Sequence, residues 1–438
     1  MTSPAHSAIE AVWRIESARI IAGLARLVQD VGLAEELAQD ALVAALEQWP
    51  ADGIPPNPGA WLMVTAKHRA IDRIRRNERL REKVGQLGRE LEVQSAAGGS
   101  GEFDAVLEAG ETIDDDLLRL MFISCHPVLS TPARIALTLR LLGGLPTEEI
   151  ARGFLAAEPV IAKRIVRAKQ TLAEKGARFE VPPPAERQAR LASVLEVLYL
   201  VFNEGYSAMA GDDWMRPALC DEALRLGRVL AGLMPGEPEV HGLVALMEIQ
   251  ASRMRARLDA GGLPVPLLEQ NRGRWDQLLI RRGFAALLRA QSLLSQSLPA
   301  AGAGDRPSPG PYVVQAAIAA CHARARSPEQ TDWASIAALY DRLAVLTPSP
   351  VVELNRAVAV SMADGPAHGL AIVDRLGSEP ALAGYHHLPS VRGDLLTRLG
   401  RHAEAAAEFR RAAELTRNAP ERTVLLRRAE TAVLAKEN

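Results

Sequence analysis

Cysteine is scarce in this 438-residue sequence: Cys125, Cys220 and Cys321 are the only three, and they are widely separated. That excludes a disulfide framework or a cysteine zinc site and suits a reducing compartment. Aromatics are few as well, with 7 Phe, 6 Trp and 5 Tyr. A large β architecture would want more of them, and more β-branched residues. No apolar run approaches the ~18 residues of a membrane span; Val194–Phe202 is interrupted by Glu196. The opening Met-Thr-Ser-Pro-Ala-His-Ser has no basic stretch leading into an apolar one, so no signal peptide is expected and the expected location is cytoplasmic. Charge is nearly balanced, at −2, and names no partner by itself. Enzyme signatures are missing too: there is no Gly-x-x-x-x-Gly-Lys loop, no Gly-x-Gly-x-x-Gly after a strand and no Gly-x-Ser-x-Gly elbow. We therefore expect no catalytic residue, no cofactor and no metal.

What fills the chain instead is Ala, Leu, Arg and Glu, residues that favour helix, so the expected fold class is all-α. Residues 8–48 read as two amphipathic helices. The first would bury Ile9, Val12, Trp13, Ile15, Ile20, Ile21, Leu24 and Leu27, and the second runs about Leu33–Trp49. The prolines of Pro50–Gly59 break the pattern, and a helix restarts near Ala60 and runs through Arg76 or on to Gly85. From Glu90 to Asp116 there are nine acids and no Lys or Arg, around the Gly/Ser/Ala spacer Ala96–Gly101, which reads as a flexible linker. Thr131-Pro132 opens a further helix and Gly143-Gly144 stops it.

After Pro182-Pro183-Pro184 the chain is helix upon helix, broken by loops such as Leu298–Pro311, and it repeats itself. Ala334–Pro350 aligns with Ala403–Pro420, placing Tyr340 on Phe409, Leu343 on Ala412 and Leu346 on Leu415. Glu222–Glu239 matches Glu404–Glu421. A helix–turn–helix period near 34 residues with Leu-Gly, small-residue and Pro positions is the tetratricopeptide (TPR) pattern, clearest in Leu399-Gly400-Arg401…Ala405…Phe409…Pro420.

Few side chains invite chemistry. His386 and His387 are neighbours, and on a helix they would diverge by about 100°, too far to share a metal in the i, i+4 manner. Asp212-Asp213, Asp114–Asp116 and Cys125-His126 lack further partners in the sequence. Positive charge is the stronger signal. Trp61–Lys83 carries eight cations against three acids, and Glu158–Arg178 six against two. Two basic helices flanking an acidic linker suit a bipartite nucleic-acid binder rather than merely solvated faces. The second basic helix also closes a helix–turn–helix, Thr147–Leu155 followed by Pro159–Leu172. Ile150, Ala151, Phe154, Ile161, Ile165 and Leu172 would pack the two helices, leaving Val160, Lys163, Arg164 and Arg167 for a DNA major groove.

The segment Thr147–Leu172, with Lys163-Arg164-Ile165-Val166-Arg167-Ala168-Lys169 in its second helix, resembles region 4 of bacterial sigma factors. Ala34–Leu42 resembles region 2.2, and Trp61-Leu62…Ala66…Ala70-Ile71-Asp72-Arg73-Ile74-Arg75-Arg76 is similar to region 2.4. With regions 2 and 4 alone, over roughly residues 8–178, the chain looks like an extracytoplasmic-function (ECF) sigma factor. Its extension, beginning near Tyr199–Tyr206, resembles that of the ECF group with a C-terminal TPR-like domain.

The resemblance implies four parts: region 2 over 1–85, an acidic linker over 86–116, region 4 over 117–181 and a TPR-like extension over 186–438. It implies core RNA polymerase as partner, through the β′ clamp helices and the β flap, and promoter DNA as ligand. Glu36, Gln39 and Asp40 would meet the polymerase. Asn57, in the loop that captures a flipped −10 base, would join Lys67, His68, Arg69, Arg73, Arg75 and Arg76 on that element, with Asp72 bracing the arginines. Extruding a base costs a few kcal/mol, which polymerase binding helps to supply. Val160, Lys163, Arg164 and Arg167 would take the −35 element, where Arg to guanine is the commonest specific contact. The sequence departs from the family at Pro146 and at Glu158-Pro159-Val160, and it offers only Trp49 and Trp61 where melting aromatics are usual; both read as core. A TPR-like stack offers a concave surface for a protein or peptide partner, with which it would regulate the sigma module; no membrane partner is expected. The rivals are a TPR interaction scaffold and a helix–turn–helix regulator that acts without polymerase.

Overall fold

The structure, a computed structural model, describes residues 4–89, 113–154, 156–207, 210–211, 214–296 and 308–437. The acidic spacer, Asp212-Asp213 and most of the loop 298–311 lie outside the described residues, as do the side chains of Arg79, Arg81 and Lys83. The described chain is all-α, apart from a two-residue parallel bridge. No described helix is long and apolar enough to cross a membrane. By its contacts the chain divides into Met1–Val197 and Leu198–Asn438.

The first unit opens with α1 (Pro4–Val28), α2 (Val31–Asp52) and α3 (Pro58–Arg89). Ile9, Ile20, Ile21 and Leu24 of α1, Leu37 of α2 and Leu62 of α3 are almost fully buried, and Ala34, Ala38, Ala41, Ala66 and Ala70 join them in the core. Alanines bring backbones close, which is how a chain with few aromatics reaches a dense core. Ile15 departs from the expectation at 67% exposed; α1 is apolar on more than one face, and a periodicity argument cannot choose between faces. Asp30 caps α2 by accepting from the Leu33 amide (2.9 Å). Pro50 sits inside the last turn of α2 rather than ending it, and Gly53, at φ 86°, closes the helix by donating to the Trp49 carbonyl (3.0 Å).

The same unit continues with α4 (Ile113–Ser124), α5 (Thr131–Leu141), α6 (Thr147–Gly153) and α7 (Glu158–Glu174). Ser130, not Thr131, is the residue flanking the start of α5. Gly144 needs its glycine: φ is 64°, and a Cβ there would lie 2.7 Å from Ser17 Oγ of α1. Asp116, expected in the acidic linker, is instead buried in α4. It pairs with Arg26 (3.3 Å) and Arg119 (2.6 Å), and burial outweighs both arginines to raise its pKa. On α7, Ile161, Ile165, Ala168 and Leu172 are buried at i, i+4 and i+3 spacing, and so form a single stripe. Helix α8 (Pro184–Tyr206) carries the chain across the division.

In the second unit, α9 (Pro217–Leu233), α10 (Pro238–Ala251), α11 (Gln277–Gln296) and α12 (Pro311–Arg324) lead into three helix pairs. These are α13 (Trp333–Leu346) with α14 (Pro350–Ala363), α15 (Pro366–Leu376) with α16 (His387–Arg398), and α17 (His402–Leu415) with α18 (Ala419–Glu437). Consecutive helices pack on one another, and the first helices of the pairs start at Trp333, Pro366 and His402, close to the repeat seen in the sequence. Phe409, 2% exposed, anchors the core of the last pairs.

Candidate nucleic-acid interface

The apolar stripe of α7 turns its other side outward. Val160 is 49% exposed, Lys163 and Arg167 are exposed and Arg164 is half-buried. All four line one open depression with Ser130 and Ala133 of the α5 start. The structure thus brings the four residues expected at the −35 element together on a single face. Pro146 and Pro159 do not disturb it. Pro146 stands just before α6 with φ −64°, and Pro159 lies in the first turn of α7, where a missing N–H costs nothing.

On α3, His68, Arg73, Arg75 and Arg76 are exposed, while Lys67 and Arg69 are half-buried. Arg69 leans toward Asp40 (3.8 Å) across the α2–α3 contact, so a residue expected at polymerase is paired with one expected at DNA. Asp72 is exposed and forms no ion pair among the described residues. Asn57 caps α3, its Oδ1 accepting from the Ala60 amide at 3.1 Å, and its side-chain amide nitrogen makes no hydrogen bond among the described residues. Trp49 is buried and meets Trp61 edge-on, with ring centroids 5.3 Å apart.

Glu36 and Asp40 are exposed and Gln39 half-buried. They share a depression with Arg73, but also with Arg140 of α5 and Lys169 of α7. The residue that makes this contact is Glu35, which the sequence reading passed over. It is 4% exposed, accepts from Arg140 Nε at 2.6 Å and forms a second ion pair with Lys169. A further pair joins Arg14 of α1 to Glu149 of α6 (3.2 Å). The sequence shows only two adjacent glutamates here, because the partners of Glu35 lie more than a hundred residues away.

Elsewhere several titratable groups have structural partners. The Cys125 thiol lies 3.3 Å from Thr138 Oγ1, and burial pushes it up to about 11. His126 Nδ1 accepts from the Val128 amide (3.1 Å); burial and then Arg190 push it down to about 4. His386 and His387 do not diverge, because α16 begins only at His387 and His386 flanks it. Their ring centroids are 4.0 Å apart, and with Glu421 they put three potential ligand atoms within 4.8 Å. His386 Nε2 already meets Glu421 there at 3.0 Å, and Thr416 donates to the same carboxylate (2.7 Å). In the second unit, Arg257 is buried against the Tyr206 ring (3.4 Å) and the Trp214 ring (4.2 Å), and donates to the Tyr206 carbonyl (2.6 Å).

Residues 15–80 match the family model of sigma-70 region 2, and residues 190–291 match a family of unknown function, DUF6596. The exposed basic face of α3 therefore belongs to a sigma factor's region 2, and the protein has a role in transcription initiation, with core RNA polymerase and promoter DNA as its general partners. An uncharacterized protein of Rhizobium meliloti strain 1021 is 43% identical over 419 residues, 94% of either chain. A protein named probable ECF RNA polymerase sigma factor SigI, from two Mycobacterium tuberculosis strains, is 25% identical over 182 residues, 42% of this chain and 60% of its own. Over nearly its full length the chain belongs to the family of the Rhizobium protein, and its residues 15–80 carry a sigma-70 region 2.

Proposed function

We propose that the chain is an ECF-type sigma factor: its region 2 engages core polymerase and the −10 strand, α5–α7 serve as region 4, and a TPR-like C-terminal unit regulates both. The observation that carries this reading is the placement of Val160, Lys163, Arg164 and Arg167 on one open face of the second helix of a helix–turn–helix. That helix packs in the same unit as a sigma-70 region 2. Major-groove readout needs this arrangement, a helix with an apolar stripe on one side and cations on the other. Glu36, Gln39 and Asp40 are the residues offered to polymerase, and Arg140 and Lys169 stand beside them as competitors that core must displace. The absence of catalysis and the cytoplasmic location belong to the same reading.

Run-off transcription tests it, with purified bacterial core polymerase, the full chain and fragments from its own upstream region. Discrete transcripts that core alone does not make are the expected result. If neither the full chain nor residues 1–185 yields a transcript or binds core in a pull-down, the scaffold reading replaces this one. Tight specific duplex binding without core would instead identify a polymerase-independent regulator.

A further inference from the structure

The second unit contains a cavity of about 500 Å³, lined by none of the residues assigned above to DNA or polymerase. Its size is that of a metabolite site. Leu246, Ile249, Ile318, Leu343 and Val351 make an apolar wall, and Arg253 is the one charged residue in the lining. No carboxylate lines it among the described residues.

Arg253 and Trp275 supply donors there, beside amides and hydroxyls that can donate or accept. Trp275 is 4% exposed, yet its indole Nε1 has no hydrogen-bond partner. A buried donor left unmade is a cost that native structures rarely carry without a ligand or water. Arg253 spends Nε and one Nη on Tyr206 Oη, and its other Nη has no partner among the described residues. His322 Nδ1 is buried and unpartnered, and burial together with Arg253 and Arg272 pushes this imidazole down to about 4, so it stays neutral at pH 7. The first turn of α14 also reaches the cavity through Val351 and Val352, adding the positive end of a 14-residue helix. The internal repeat makes the point sharper. Where the last repeat buries Phe409 in its core, the aligned Tyr340 lines this opening with a hydroxyl.

We propose that this cavity binds a small organic monoanion, a carboxylate held by Arg253 and Trp275 Nε1 with its apolar body against Ile249, Ile318 and Leu343. One cation and no acid set the charge at a single negative, and the apolar wall excludes a bare inorganic ion. The carboxylate can come from a free metabolite or from the C-terminus of a polypeptide. The binding is independent of the sigma reading, because the chain alone carries the site.

The test uses the full chain with benzoate as probe and benzamide as its neutral counterpart, followed by tryptophan fluorescence and ligand-observed NMR. Benzoate is expected to saturate with a Kd on the order of 1 mM, as suits so small a ligand. Benzamide should bind about tenfold or more weakly. Arg253→Gln should cost a similar factor. Ala319→Phe, which fills the cavity while leaving Arg253 and Trp275 in place, should abolish binding in a chain whose thermal melting confirms folding. Acetyl-Ala-Ala-Ala-Phe with a free C-terminus, compared with its amide, separates the sources: tighter binding than benzoate assigns a polypeptide end, weaker binding a free metabolite. Absence of saturable benzoate binding, equal binding of benzamide, or binding that survives Ala319→Phe would each overturn the proposal.

Discussion

Replacing Glu35 by Gln should loosen α7 from α2 while leaving each helix intact. The Glu35 side chain is 6% exposed and faces two cations, Arg140 and Lys169, whose side chains are 20% and 21% exposed. Taking one partner from a buried ion pair typically costs about 3–5 kcal/mol, because the remaining charge is stranded. Here both cations retain some access to water, and solvation recovers part of that, leaving about 2–3 kcal/mol. The loss falls on the local opening of α5–α7 rather than on the whole chain, so amide hydrogen exchange is the suitable assay. Amides of residues 158–174 should exchange about 30- to 150-fold faster, the factor that 2–3 kcal/mol implies. Glu36→Gln, one position away and exposed, is the control and should stay within about 0.5 kcal/mol of wild type. If Glu35→Gln leaves exchange in this helix no faster than Glu36→Gln does, the ion-pair argument is wrong. Under the proposed function the same variant should need less core polymerase for half-maximal run-off.

Further outcomes can be checked separately. Gly393→Ala would place a Cβ 2.7 Å from the Phe409 ring; overpacking of this kind costs about 1–3 kcal/mol, readable as a lower urea midpoint for the second unit. His322 gives that unit a pH dependence. Its folded pKa of about 4 lies below the unfolded value of 6.5, so the unfolded chain takes up the proton first. Stability is then fully present above pH 6.5 and declines by about 1.4 kcal/mol per pH unit as pH falls toward 4, and His322→Gln should flatten that part of the profile. Cys125 and Cys220, pushed by burial up to about 11 and about 12, should resist alkylation at pH 8 until urea opens the chain; labelling of the native protein at either would contradict their burial. Arg167→Ala in the holoenzyme should weaken binding to −35 duplex and lower the salt slope by about 1, whereas an unchanged slope would mean that Arg167 does not meet a phosphate.

Local features were legible in the sequence and long-range ones were not. The stripe Ile161, Ile165, Leu172 and the cations opposite it follow from a period of 3.6, and the structure shows both. Helix starts at Trp333 and His402 agree with the internal alignment because repeats carry their own turn signals. Ile15 was misjudged because α1 has apolar residues to spare and only its neighbours decide which face is covered. His386 and His387 were judged as if both lay on a helix, whereas the helix boundary falls between them. Glu35, Arg140 and Lys169 are individually unremarkable, and only tertiary packing makes them a cluster. The cavity around Trp275 and Arg253 was invisible for the same reason, since its walls come from five helices and the loop after α10.

The two-residue bridge of the second unit pairs Ala210 with Arg417 and Gly211 with Asn418, in parallel. A linear stack of helical repeats melts from its ends, each repeat depending only on its neighbours. Here a segment near the start of the unit is hydrogen-bonded to one just before its last helix, so the two ends cannot fray independently. Deleting α18 should therefore unsettle the start of the unit as well as its end. Such a loop of about two hundred residues closes late and slowly during folding, which gives the unit the all-or-none character of a globular domain.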